Sequence, residues 1–332
     1  MLLMAVALFT LSTLPAVAGS AVILMYHRFG EGSYPDTNVR IDQFEAHIKE
    51  LSEGPYTVLP VTEIIAALQS GRELPDRTVG ITVDDAYLSA YKEAWPRLTA
   101  AGFPFTLFVA TDAVDKRFGG MVDWDRIREM RDAGVEIGAH TASHVHMANT
   151  TAAKNRAEMQ QSLSRFDKEL GERPVLFAYP YGEVSLAVQD VVREFGFTSA
   201  FGQHSGVAYD GENLMYLPRF ALNETYSALE DFVLRVNTLP LPASDIAPAD
   251  SFISDRNPPL VGFTIDASVG SLRGLACYHS QFGRADLEIL GTHRVEIRFP
   301  EALKAGRTRL NCTKPAGSGR WRWFGMQYFT PS

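Results

Sequence analysis

The sequence predicts an α/β protein built on a parallel sheet, open or closed as a barrel, followed by a small β-sandwich. Two observations carry this. Apolar, β-rich runs alternate with helix-spaced segments from Ala21 to about Asn237, the pattern of strand–helix repeats around a parallel sheet. Beyond a Pro- and Ala-rich stretch, Leu260–Ile265, Gly274–His279, Ala285–Leu290, His293–Phe299, Arg307–Cys312 and Arg320–Tyr328 read as short strands between Gly, Asn and Pro turns.

Within the first unit, Ala21–Tyr26 is apolar throughout and reads as a buried strand. Residues 42–52 have helical spacing, with Ile41, Phe44, Ile48 and Leu51 on one stripe. Thr78–Val83 is a second strand, followed by a helix through Trp95 and Leu98. Strands are predicted at Phe105–Val109, Val135–Ala139, Val175–Ala178 and Thr198–Phe201, with helices at Asp123–Ala133, Thr151–Leu170 and Leu186–Phe195 between them. The expected boundaries are a leader over 1–18, a first domain over 19–240, a linker over 241–254 and an all-β domain over 255–332.

Composition narrows the function. The chain has 332 residues, 46% hydrophobic and 21% charged, with a net charge of −8, which excludes disordered and multi-span membrane classes. A net negative charge argues against nucleic acid as a partner. The charge is uneven: from Asp255 onward 11 Lys+Arg face 6 Asp+Glu, a net of +5, leaving −13 for the rest. Met1–Ala18 carries no charged side chain and ends in Ala16-Val17-Ala18, an A-x-A pattern that reads as an export signal cleaved after Ala18. The protein is therefore expected in the periplasm or outside the cell. An uncleaved membrane anchor is the alternative. The two cysteines, Cys277 and Cys312, lie in the C-terminal unit, and in an exported protein they pair as a disulfide or stay as buried thiols.

On parallel sheets the chemistry sits at the C-terminal strand ends. Thr78–Val83 ends in Asp84-Asp85; Val135–Ala139 ends in His140, with His144 four residues on. Val175–Ala178 ends in Tyr179-Pro180-Tyr181-Gly182, and the first strand in Tyr26-His27-Arg28. One carboxylate and two imidazoles leave a coordination position open for water, as in catalytic metal sites. The second Asp then has a role as general base, and two adjacent carboxylates make physical sense beside a cation. Singly, each motif has a plainer reading as a helix cap, an incidental His pair or a turn. Their coincidence at successive strand ends favours a metal centre.

Thr82-Val83-Asp84-Asp85-Ala86-Tyr87, His140-Thr-Ala-Ser-His144 and Tyr179-Pro180-Tyr181-Gly182 resemble, in order, the first three motifs of the polysaccharide deacetylase family, the NodB-homology group or carbohydrate esterase family 4. The resemblance covers roughly residues 20–222. It implies a distorted (β/α) barrel and a divalent metal, zinc by preference, held by Asp85, His140 and His144. It makes Asp84 the base, and the backbone N–H of Tyr181 a donor to the developing oxyanion. Three positions depart from the family pattern. Ala86 replaces the glycine after the Asp pair, and Ala178 replaces the arginine that orients the base. Arg219, in Leu217-Pro218-Arg219-Phe220, is the candidate to supply that charge. The late Leu-x-His motif carrying the acid is absent. In a permuted branch resembling poly-N-acetylglucosamine deacetylases this His lies near the N-terminus, so His27 is the first candidate acid and His204 the second.

The resemblance thus implies an N-deacetylase acting on an acetylated polysaccharide. A polysaccharide O-acetyl esterase and a non-catalytic glycan-binding protein are the alternatives. Arg320-Trp321-Arg322-Trp323-Phe324 reads as a last strand with one Trp in the core, or as a sugar-stacking surface.

Overall fold

The computed structural model describes residues 19–332; the predicted leader, 1–18, lies outside the described residues. Seven strands form the main path of a nine-stranded sheet: β1 (Ser20–Tyr26), β2 (Thr78–Val83), β3 (Thr106–Val109), β4 (Glu136–Ala139), β5 (Leu176–Ala178), β6 (Ser199–Phe201) and β7 (Ala208–Tyr209). Their order is β7-β1-β2-β3-β4-β5-β6, and β1 to β6 are mutually parallel. The segment after β7 curls the sheet toward closure. Leu217 bridges Phe201 of β6, and β8 (Phe220–Ala221) runs parallel to Leu24 and Met25 of β1. The predicted strands fall within a residue or two of those observed, because a strand buried on both faces reads as an unbroken apolar run.

Between the strands lie α1 (Ile41–Glu53), α2 (Val61–Ser70), α3 (Trp95–Ala101), α4 (Thr111–Asp115), α5 (Trp124–Asp132), α6 (Ala152–Leu170) and α7 (Leu186–Glu194), with α8 (Leu229–Val236) closing the unit. Asp123, Thr151 and Ser185 cap α5, α6 and α7, each side chain accepting a backbone N–H three residues on.

The strands alternate between two cores. Val22, Leu24, Val79, Ile81 and Leu107 face the outer helices, whereas Ile23, Phe108, Leu176, Ala178 and Phe201 fill the concave side. Helix α2 closes that concavity with Val61, Ile64, Ile65 and Leu68. It sits at the N-terminal strand ends, where Glu136 of β4 accepts the backbone N–H of Val61 at 3.0 Å and Thr62 at 3.2 Å. Sequence reading passes over α2, whose apolar residues carry too few polar neighbours to show a stripe. With one end plugged, the concave-face sequence Gly80–Thr82–Asp84 leads to the open, C-terminal end.

The C-terminal unit is a sandwich of two sheets. The first pairs Leu239–Pro240, Arg320–Thr330, Gly306–Gly317, Ala276–His279 and Gly283–Arg284; the second pairs Ala243–Ala247, Leu260–Ile265, Arg294–Arg298 and Leu287–Leu290. Val261, Phe263, Ile265, Val295, Ile297, Leu310 and Tyr328 meet between them. The expected linker over 241–254 therefore needs correction: Ala243–Ala247 is an edge strand pairing antiparallel with Leu260–Ile265. Its flanking prolines, Pro242 and Pro248, disguise it in sequence, but an edge strand tolerates them. Cys277 and Cys312 stand opposite each other on neighbouring strands and are joined by a buried disulfide.

Candidate active site

Asp84, Asp85, His140, His144 and Tyr181 follow strands β2, β4 and β5, and neighbouring strand ends converge at the mouth of the curled sheet. Asp85, His144 and Tyr181 line a cleft of about 760 Å³ together with Met25, His27, Arg28, Tyr87, Arg307 and Arg309. That volume suits a segment of a polymer rather than an ion alone.

Five non-glycine residues in the three motif turns hold left-handed backbone conformations: Asp85 (φ 73°), Ala86 (φ 57°), Thr141 (φ 62°), His144 (φ 57°) and Tyr181 (φ 62°). Such conformations cost about 1–3 kcal/mol each and concentrate at functional sites. The surroundings hold them. Glu158 of α6 accepts the N–H and the hydroxyl of Ser143, both at 2.8 Å, pinning the turn between the two histidines. Ala86, at the family's glycine position, is fully buried in this strained conformation.

Asp84 and Arg219 are both fully buried. Arg219 Nη1 and Nη2 donate to the two carboxylate oxygens at 2.7 and 2.8 Å, Nη1 also to Thr82 Oγ1 at 2.9 Å, and Nε to the Gly202 carbonyl at 2.9 Å. Burial works to raise the Asp84 pKa, but the charge and hydrogen bonds of Arg219 outweigh it and hold the carboxyl below its ordinary range. Arg219 thus meets the carboxylate from the closing segment, far in sequence from the Ala178 position where the family places an arginine.

Asp85 Oδ1 lies 3.4 Å from His140 Nε2 and 3.2 Å from His144 Nε2. The three donor atoms lie within 4.8 Å of one another. His140 Nδ1 is 2.7 Å from the Ala178 carbonyl, which can only accept, so the ring proton sits on Nδ1 and Nε2 presents a lone pair. Buried Nε2 and Asp85 Oδ1 have no hydrogen-bond partner. A cation bound between these two acceptors would satisfy both. Ligand atoms at about 2.0–2.1 Å from a tetrahedral ion stand about 3.3 Å apart, close to the spacings seen. The residues fit a divalent metal.

His27, the first candidate acid, lines this cleft. Burial pushes its pKa down against the pull of the Asp85 and Asp84 charges. His204, the second candidate, sits apart from the cleft lining. It is buried with its ring 4.2 Å from that of Tyr216 and is pushed by burial to a pKa of about 3.

Sequence reasoning missed several neighbours. Arg28 lies between the rings of Tyr34 and Tyr87, 4.0 and 3.5 Å from their centroids. His146 stacks on the Tyr181 ring at 3.8 Å, and its Nδ1 is 2.7 Å from Glu183. His146 was visible as a third histidine in its run; Glu183 had no signal.

A family model described as polysaccharide deacetylase matches residues 71–200. A poly-β-1,6-N-acetyl-D-glucosamine N-deacetylase of Staphylococcus aureus (strain MRSA252) is 24% identical over 242 residues, 65% of this chain and 82% of the relative. The Escherichia coli (strain K12) protein of the same name is 25% identical over 243 residues, 61% of this chain but only 36% of that longer relative. The solved structure of IcaB from Ammonifex degensii superposes with a TM-score of 0.61 at 23% identity, over 66% of this chain and 98% of that one. The strand-end motifs and the curled sheet agree with these likenesses: residues 71–200, within the first unit, match the polysaccharide deacetylase family.

Proposed function

We propose that the protein is a metal-dependent N-deacetylase of a polysaccharide containing N-acetylglucosamine, acting outside the cytoplasm. One observation carries this reading. The Asp85–His140–His144 donor set, with Asp85 Oδ1 and His140 Nε2 unpartnered, opens into a polymer-sized cleft beside His27 and the Arg219-held Asp84. The names of the Staphylococcus and Escherichia relatives support poly-N-acetylglucosamine as the polymer. The leader-type sequence over 1–18 supports export.

A divalent cation at Asp85, His140 and His144, zinc by ligand type, would supply Lewis-acid polarisation of the acetyl carbonyl and a more acidic water. The chain's own residues do the rest. Asp84, kept ionised and oriented by Arg219, takes a proton as the water oxygen bonds to the carbonyl carbon. The Tyr181 N–H donates to the oxygen on which charge builds. His27 delivers a proton to the nitrogen as the C–N bond breaks, and acetate and a free amine leave.

The test is acetate release from an N-acetylglucosamine oligomer by wild type, Asp84→Asn and His27→Ala. Both variants should lose about 10²–10⁴ in kcat while retaining the metal content of wild type. Near-normal turnover in either removes that residue from its role.

A further inference from the structure

The wall of the cleft that faces the third motif comes from the C-terminal sandwich. Arg307 and Arg309, on the strand Gly306–Gly317, line the cleft alongside Asp85, His144 and Tyr181. The contact is direct. The Tyr181 carbonyl accepts hydrogen bonds from Arg307 Nη1 at 3.2 Å and from Gln327 Nε2 at 3.1 Å. Gln327 is buried and stands opposite Arg309 on the neighbouring strand. Its Oε1 accepts from Arg309 Nε at 3.1 Å, so its amide can present only the NH₂ to Tyr181. Arg307 Nε also lies 3.6 Å from Glu183, which holds His146 against the Tyr181 ring.

The two units are joined as one body here. Gly325 abuts the Ser205 carbonyl with no room for a side chain. Trp323 packs edge-on against Phe220 of the closing segment at 5.2 Å. Arg320 donates to the Asn237 carbonyl at 2.7 Å and pairs with Asp76 at 2.8 Å.

Tyr181 is a bulky residue with φ 62° and ψ 0°, a conformation it would leave unless held. Fixing its carbonyl direction fixes ψ, and the stacked ring fixes the side chain. With φ at 62°, the held carbonyl and ring set the direction of the Tyr181 N–H in the preceding peptide. We propose that the C-terminal β unit is part of the catalytic apparatus, with Arg307 and Gln327 as positioning residues that hold the Tyr181 N–H on the acetyl oxygen. The proposal rests on the deacetylase reading above. A misaimed oxyanion donor costs rate rather than ground-state affinity, because the interaction strengthens only as charge develops.

The experiment compares full-length wild type, Arg307→Ala, Arg307→Lys and Gln327→Leu. It measures kcat and KM for acetate release from an N-acetylglucosamine oligomer, urea midpoints, and deuterium exchange over residues 179–183. Arg307→Ala and Gln327→Leu should each lose about tenfold or more in kcat, with KM within about twofold. Exchange over 179–183 should rise, and Arg307→Lys should recover part of the kcat. A purely structural role would lower the urea midpoint and leave the kcat of folded protein unchanged, which overturns the proposal. So would unchanged exchange over 179–183, a readout that stands even if wild type releases no acetate. Wild type without acetate release contradicts the deacetylase reading instead.

Discussion

Asp84 stays ionised in a fully buried position because a guanidinium meets it with two matched N–H donors. The sequence shows the need for this charge, since Ala178 occupies the family's arginine position, and Arg219 answers it from another strand. His47 shows the opposite balance. It is buried, its Nδ1 is 3.1 Å from the Tyr26 hydroxyl and its Nε2 3.0 Å from the Ser227 carbonyl. Nε2 must donate to that carbonyl, so in the neutral ring Nδ1 accepts from the Tyr26 hydroxyl. Burial lowers its pKa to about 4 and that of His204 to about 3. In the unfolded chain both take up protons as pH falls through about 6.5. The unfolded state then binds more protons, so stability drops between about pH 6.5 and 4. Urea midpoints at pH 7.5 and 5 should show a loss of about 2 kcal/mol per histidine, reduced in His47→Gln. A pH-independent midpoint contradicts the assignment.

At the scale of elements, the motifs were legible because each sits just beyond an apolar strand whose end is plain in sequence. Asp84, Asp85, His140 and His144 could be placed from strand boundaries alone. The edge strand Ala243–Ala247 was hidden by its prolines, and α2 by its apolar composition. The third-motif turn also depends on a glycine: Gly182 has φ +66°, and a Cβ there would meet the Gln203 backbone N at 2.5 Å. Gly182→Ala should cost about 1–3 kcal/mol in urea denaturation and displace Tyr181, cutting acetate release without removing the metal ligands. A variant with wild-type stability and rate would show that this close approach carries no constraint.

Across the whole molecule, the uneven charge has a structural counterpart. The acidic barrel and the basic sandwich meet where Arg320 pairs with Asp76 and Arg307 with Glu183. Of the Arg-Trp-Arg-Trp run, Arg320 and Trp323 serve this interface, Trp323 packing on Phe220, whereas Arg322 donates to the Pro240 carbonyl of its own sheet at 2.8 Å and Trp321 is exposed. Sequence could not show it, because Tyr181 and Arg307 are 126 residues apart and no periodicity links them. The cleft is thus a property of both units, whereas the motifs reveal only one.

The central claim is that this cleft removes N-acetyl groups with a divalent metal held by Asp85, His140 and His144. Acetate release from a β-1,6-linked N-acetylglucosamine oligomer, before chelation, after chelation and after zinc is restored, tests it most directly. The account predicts release that chelation abolishes and zinc recovers. Release indifferent to chelation, or release from O-acetylated but not N-acetylated oligomers, would contradict it.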